Sequence, residues 1–281
     1  LGEEIAAFVI LKEGCTMTHK TITLPGGATL TTYIPTPTVA GDDHRIGLVI
    51  CPGGGYTHLS LREGELMALR FASRGVSCFV LNYHLDPHRY PTQLHDAAQA
   101  VAHVRQHAAE YHIQPDRIAI MGFSAGGHVA GSLGVWWQDA ARMQPAGVTP
   151  EEARPNAMVL CYPVITGGEK AHRGSFVALT GSENMADHLP YSLENHVSAH
   201  TPPTFLWHTW NDGAVPVENT LYMAQALKNA GVQAEVHIYP FGGHGLAMAN
   251  ETTAVPGYPD QVIPEVQGWL EDAHRFLQQV L

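Results

Sequence analysis

Apolar residues along this chain come in two alternating kinds of run. Residues 46–51, 76–83, 116–121, 157–162, 203–210 and 235–239 are short blocks dominated by Val, Ile, Leu, Cys, Phe and Met, the pattern of strands buried on both faces. Between them, residues 61–73, 92–111, 217–230 and 264–281 repeat apolar positions at helical spacing, as in Leu66, Leu69 and Phe71 or Ala97, Ala100, Val101 and Val104. Near the start, residues 21–24 and 29–34 alternate around Pro25-Gly26-Gly27, which predicts a hairpin. Strands alternating with helices predict a mostly parallel sheet covered on both faces. We read one α/β domain across residues 1–281, with residues 164–202 an irregular excursion over the C-terminal edge of the sheet, where such folds bind ligands.

One strand-to-helix junction carries a chemical motif. Gly122-Phe123-Ser124-Ala125-Gly126 directly follows the 116–121 block and precedes Val129, Ala130 and Leu133 at helical spacing. A G-x-S-x-G sequence in that context projects a serine hydroxyl above a sheet from a sharp, strained turn. A serine hydroxyl is a weak nucleophile and needs a base oriented by an acid, here in chain order Ser, acid, His. Asp212 is the only carboxylate in the turn after the 203–210 strand, and His244 lies in Gly242-Gly243-His244-Gly245, just past the last strand. His128, four residues beyond Ser124, is the rival base, but it shares the serine's helix and is expected to face the sheet. The oxyanion that forms on attack needs N–H donors. Ala125 offers one at a helix N-terminus, and Gly53-Gly54-Gly55 offers others after the 46–51 strand. Tyr56, beside those glycines, and Trp210, before Asp212, are candidate substrate-binding walls or simply core.

Composition narrows the remaining classes. Of 281 residues, 45% are hydrophobic and 15% charged, with a formal net charge of −11, so neither nucleic acid nor an anionic membrane surface is an expected partner. Cys51, Cys78 and Cys161 fall in buried blocks and read, with Cys15, as free thiols. Together with the lack of a basic n-region before the apolar residues 5–11, this leans toward a cytoplasmic protein. Residues 1–16 read as a non-native or flexible extension ahead of a natural start at Met17.

With these parts in place the chain resembles α/β-hydrolases of the hormone-sensitive-lipase-like esterase type. Within that group it is similar to small bacterial carbohydrate esterases: acetyl, acetylxylan and bifunctional feruloyl/acetyl esterases. The resemblance runs from about Met17 to the C-terminus. It implies an α/β-hydrolase fold, a mostly parallel sheet with an N-terminal antiparallel hairpin, helices on both faces and a small insertion as partial cap. It further implies Ser124 as nucleophile, Asp212 as acid, His244 as base, and Gly54, Gly55 and Ala125 as oxyanion donors. The implied substrate is a small-molecule or carbohydrate ester with a short or aromatic acyl group, with no cofactor or metal; a homo-oligomer is left open. Two positions depart from the family pattern. Pro52 stands where a His usually precedes the glycines, and Tyr83-His84-Leu85-Asp86-Pro87 replaces Tyr-Arg-Leu-Ala-Pro. The long N-terminal cap of larger relatives is not read in this sequence, which implies an open site. A serine peptidase or arylformamidase would use the same triad and differ in acting on amides, whereas a non-catalytic receptor on this scaffold would lack a triad member.

Overall fold

A computed structural model describes residues 16–37 and 44–281; the extension read at residues 1–16 falls, but for its last residue, outside them, as does Cys15. Nine strands are described: β1 (Met17–Thr18), β2 (Thr21–Thr23), β3 (Thr29–Pro35), β4 (Arg45–Cys51), β5 (Ser77–Asn82), β6 (Ile113–Phe123), β7 (Ala157–Cys161), β8 (Thr204–Thr209) and β9 (Ala234–Tyr239). The helices are α1 (Glu65–Ala72), α2 (Thr92–Gln106), α3 (Ala125–Trp136), α4 (Ala140–Met143), α5 (Pro150–Ala153), α6 (Arg173–Thr180), α7 (Glu218–Asn229), α8 (Pro264–Gln267) and α9 (Trp269–Val280). The sheet runs β1-β3-β5-β4-β6-β7-β8-β9, with β2 also paired to β3. β2 and β3 form the expected antiparallel hairpin, and every pair from β5 through β9 is parallel.

Period-two alternation explains how this sheet is covered. Along β4, Leu48 and Ile50 face a core shared with Met67 and Phe71 of α1 and Trp269 and Phe276 of α9. Val49 and Cys51 face the opposite core, with Val101 of α2, Leu133 of α3 and Met223 of α7. Both faces are buried, which is why the sequence of these strands reads as nearly continuous hydrophobicity. Fully burying one such Leu or Ile side chain contributes about 1.5–3 kcal/mol.

Connectivity places the site. From β4 the chain crosses to β5 on one side, then returns to β6 on the other. The connections leaving the carboxyl ends of the paired strands β4 and β6 therefore diverge at a switch point, and a crevice opens above them.

Local departures from the periodicity have identifiable causes. The helix expected over 61–73 breaks at Gly64 (φ −102°, ψ −100°), with a short 3-10 turn at Leu61–Glu63 before α1. The helix expected to about Tyr111 ends at Gln106 and unwinds through His112 (φ 55°). Residues 164–202 are less irregular than expected, since they contain α6 and three 3-10 turns. Helix α6 is capped by His172, whose Nδ1 accepts from the Ser175 N–H at 3.3 Å, and ends at Gly181 in the left-handed region. Histidine is outside the usual capping set, which hid that start.

Candidate active site

The backbone does the first positioning. Ser124 sits between β6 and α3 at φ 52°, ψ −120°, a conformation that costs a non-glycine residue on the order of 1–3 kcal/mol. Close packing holds it there. A Cβ on Gly126 would lie 2.1 Å from the Cys51 carbonyl oxygen, and one on Gly122 would lie 2.1 Å from that of Gly126. Only glycine lets α3 start this close to the end of β4.

Three loops then converge. The Ser124 hydroxyl donates to His244 Nε2 at 2.7 Å, and His244 Nδ1–H donates to Asp212 Oδ2 at 2.6 Å. Ser124 follows β6, Asp212 follows β8 and His244 follows β9, so the three sequence candidates meet at the carboxyl edge. The second Asp212 oxygen, Oδ1, accepts the N–H groups of Ala214 and Val215, each at 2.9 Å. Burial alone would raise the Asp212 pKa, but hydrogen bonds from His208 and His244 outweigh it and hold the carboxyl well below its ordinary range. This set can pass a proton from the serine to the imidazole and hold the imidazolium against a fixed carboxylate.

The glycine loop after β4 faces the same crevice. The carbonyl of Gly53 accepts from Ser60 N–H, and that of Gly54 accepts from the N–H groups of Thr57 and His58. In a trans peptide the N–H points opposite the preceding carbonyl. The N–H groups of Gly54 and Gly55 therefore point away from the 57–60 turn. Gly54 adopts φ +131°, and a Cβ there would meet the His58 carbonyl oxygen at 2.0 Å. Gly54, Gly55, Ser124 and His244 line a cleft of about 380 Å³ with Thr57, His58, Ser60, Arg62, Glu63, His172, Gly174 and Gly245. Ala125 is buried directly behind it as the first residue of α3, where helix N–H groups lack intrahelical acceptors.

Other sequence candidates lie elsewhere. Tyr56 is in the core rather than the cleft wall, and its hydroxyl donates to His128 Nδ1 at 2.8 Å. His128 is buried, with Nε2–H on the Tyr191 carbonyl, and burial lowers its pKa to about 4; it faces away from Ser124 chemistry, as its place on α3 implied. Trp210 is 62% exposed and is not among the cleft-lining residues. At the two departures from the family pattern, the Pro52 carbonyl accepts from Tyr83 OH at 2.7 Å, and His84 Nδ1 lies on buried Asp96. Cys51, Cys78 and Cys161 are buried and free.

Sequence reasoning missed four neighbours of the triad. His208 Nε2–H is shared between Asp212 Oδ2 (3.2 Å) and the Val215 carbonyl (3.0 Å), while Nδ1 accepts from Thr220 Oγ1 (2.8 Å). Its place four residues before Asp212 was the available signal. His172, from the 164–202 segment, lines the cleft, and burial followed by the nearby His244 lowers its pKa. Glu63 and Tyr162 lie beneath the triad, in positions that no motif marks.

A strained serine at a strand-to-helix turn, bonded to a histidine and an aspartate on the carboxyl edge of a parallel sheet, defines an α/β-hydrolase. More narrowly, the chain belongs to the BD-FAE family, whose model matches residues 34–227. It is 40% identical over 217 residues to endo-1,4-beta-xylanase B of Butyrivibrio fibrisolvens, covering 75% of this chain and 34% of that protein. It is 34% identical over 232 residues to the acetylxylan esterase of Xylanibacter ruminicola, covering 80% and 45% respectively. The chain thus spans less than half the length of these curated relatives. Among solved structures, the acetyl ester-xyloside bifunctional hydrolase from Caldicellulosiruptor lactoaceticus superposes with a TM-score of 0.76 at 38% identity, over 91% of this chain and 89% of that one. The carboxylesterase Cest-2923 from Lactobacillus plantarum WCFS1 gives 0.82 at 27% identity, over 94% and 97%.

Proposed function

We propose that this chain is a serine carboxylesterase that removes short acyl groups, acetyl foremost, from carbohydrate hydroxyls. The observation that carries the reading is the continuous hydrogen-bonded chain Ser124–His244–Asp212, at 2.7 and 2.6 Å, opening on a solvent-accessible cleft. In this reading Ser124 Oγ attacks the ester carbonyl as His244 Nε2 takes its proton, and Gly54, Gly55 and Ala125 donate N–H groups to the oxyanion. His244 then returns the proton to the leaving alcohol, and water releases the acid by the same steps in reverse. The residues 16–281 act as one hydrolase unit, with residues 164–202 a partial cap that contributes His172.

The alcohol side rests on the cleft's chemistry and on the relatives. Thr57, His58, Ser60, Arg62 and His172 give the cleft a hydrogen-bonding wall, suited to a polyhydroxylated leaving group. The acetylxylan esterase and the acetyl ester-xyloside hydrolase named above support the same substrate class.

The test is hydrolysis of aryl esters from acetyl to octanoyl, with methyl ferulate and acetylated xylan, by the parent and by Ser124→Ala. Turnover should fall steeply beyond butyryl, acetate should be released from xylan, and Ser124→Ala should lose at least about 10³-fold in kcat with an unchanged melting temperature. Full activity in Ser124→Ala would sink the mechanism. Activity confined to amides would move the chain to another acyl-transfer class.

A further inference from the structure

Glu63 is the only carboxylate among the cleft-lining residues, and the proton relay proposed above does not use it. Its residue is 3% exposed. A carboxylate taken out of water at that cost must be fully bonded, and its two oxygens are directed at different loops. Oε2 accepts the Gly53 N–H at 2.9 Å, one residue before the proposed oxyanion glycines. Oε1 accepts the Tyr162 hydroxyl at 2.6 Å. The same Tyr162 oxygen accepts the Ala247 N–H at 3.0 Å, in the loop that carries His244.

Tyr162 adds a second link. It lies directly after β7 at φ 36°, and its ring meets the His244 imidazole edge-on, with centroids 5.1 Å apart at 74°. Burial, then the charge of Glu63, pushes the Tyr162 pKa well above its ordinary value, so the phenol stays a donor to the carboxylate. The break at Gly64 between the 3-10 turn and α1 allows Glu63 to leave the helical face and enter the interior. A Cβ on Gly53 would lie 2.6 Å from Glu63 Oε2 and 3.0 Å from Ser124 Cβ, which puts the carboxylate directly under the nucleophile turn.

We propose that Glu63 is a positioning residue that sets the oxyanion loop and the base loop from one charged group, through Gly53 on one side and through Tyr162 and Ala247 on the other. This inference rests on the esterase reading above. Charge-assisted bonds are roughly twice as strong as neutral ones, and a rigid donor frame matters most when the transition state forms. The expected signature is therefore a loss in kcat without a matching loss in substrate binding. A glutamine has the same shape, but only its carbonyl oxygen accepts, so it cannot bond both the Gly53 N–H and the Tyr162 hydroxyl as the carboxylate does.

The experiment compares Glu63→Gln, Tyr162→Phe and the double variant with the parent. Active sites are titrated with a fluorophosphonate, so that misfolded enzyme is not counted. Glu63→Gln should lower kcat for 4-nitrophenyl acetate by about 10- to 100-fold per titrated site with KM within about threefold. The Ki of a trifluoromethyl ketone, whose serine adduct places an oxyanion among the same donors, should rise by a similar factor. Tyr162→Phe should show a smaller loss of the same kind, and the double variant should cost no more than Glu63→Gln alone, because both act through one link. Unchanged kcat and Ki per site with only a lower melting temperature would reduce Glu63 to a structural pin and overturn the proposal. So would a rise in KM at constant kcat. Either result leaves the esterase reading intact if Ser124→Ala is inactive, whereas an active Ser124→Ala removes the basis of both.

Discussion

Two buried histidines in this fold have both ring nitrogens bonded, and each does something different. His208 faces a carboxylate and a carbonyl with Nε2, so that nitrogen carries the proton, and Nδ1 is left to accept from Thr220. Its N–H shares Asp212 Oδ2 with His244, and together with the Ala214 and Val215 amides it fixes the carboxylate plane. His128 has a pKa lowered to about 4 by burial and lies between Tyr56 and Tyr191. In the unfolded chain this histidine binds a proton near pH 6.5, whereas in the folded chain it does not until near pH 4. The unfolded state therefore binds more protons in that window, and stability falls as pH drops through it. Between pH 7 and pH 5 the loss from this one residue should be roughly 2 kcal/mol. His128→Gln keeps an acceptor for Tyr56 and a donor for Tyr191 but does not titrate. Urea unfolding at pH 7, 6 and 5 should accordingly show a shallower decline in the variant by about that amount, and parallel declines would mean that His128 is not the titrating group.

At the scale of elements, the junction of β4, β6 and α3 is where packing and chemistry coincide. Gly126→Ala places a methyl against the Cys51 and Pro52 carbonyl oxygens at 2.1 and 2.4 Å. Both are backbone atoms, so strand and helix must separate. Overpacking of this kind costs about 1–3 kcal/mol, and here the displaced pieces carry Ser124 and the glycine loop. Gly126→Ala should lower both the urea midpoint and, by on the order of 10²-fold, kcat per folded molecule; full kcat at reduced stability would separate the packing role from the catalytic one. This junction was legible in the sequence because the constraint is local: strand, glycines, serine and helix are contiguous. The loops after β8 and β9 were legible for the same reason, each having one acid or one glycine-flanked histidine in place. Glu63, Tyr162 and His208 were not. The Glu63–Tyr162 contact spans 99 positions, a buried Glu beside a Gly looks in sequence like any helix start, and His208, though only four positions before Asp212, belongs to no motif. Helix α6 was missed because its cap is a histidine; of the two readings of Tyr56, wall or core, the structure has the core one, since the side chain turns inward to His128.

For the molecule as a whole, the question is whether the cleft can open separately from the core. Residues 164–202 supply His172 to the cleft and could in principle detach as a unit. Their bonds argue otherwise. Val164 N–H donates to the Ser124 carbonyl, and the N–H groups of Ile165 and Thr166 donate to buried Asn219 of α7. His128 holds the Tyr191 carbonyl, and Tyr90 N–H holds that of Leu179. The segment is thus tied to α3, α7 and the turn before α2, each of which packs on the sheet. Ser124, Asp212 and His244 come from the ends of β6, β8 and β9, so no local piece of chain contains the proposed site. Stability is normally uneven across a fold, and binding elements tend toward its weaker end; here the ties place the cleft with the core. Trp207 of β8 and Trp269 of α9 stack at 5.1 Å in the core on the other face of the same sheet, and report the state of the sheet by fluorescence. In a urea titration, Ser124-dependent ester hydrolysis and tryptophan fluorescence should therefore lose half their signal at the same denaturant concentration. Activity lost at a clearly lower concentration than fluorescence would show that the 164–202 segment opens on its own, and that the bonds to Ser124 and Asn219 do not bind it to the core.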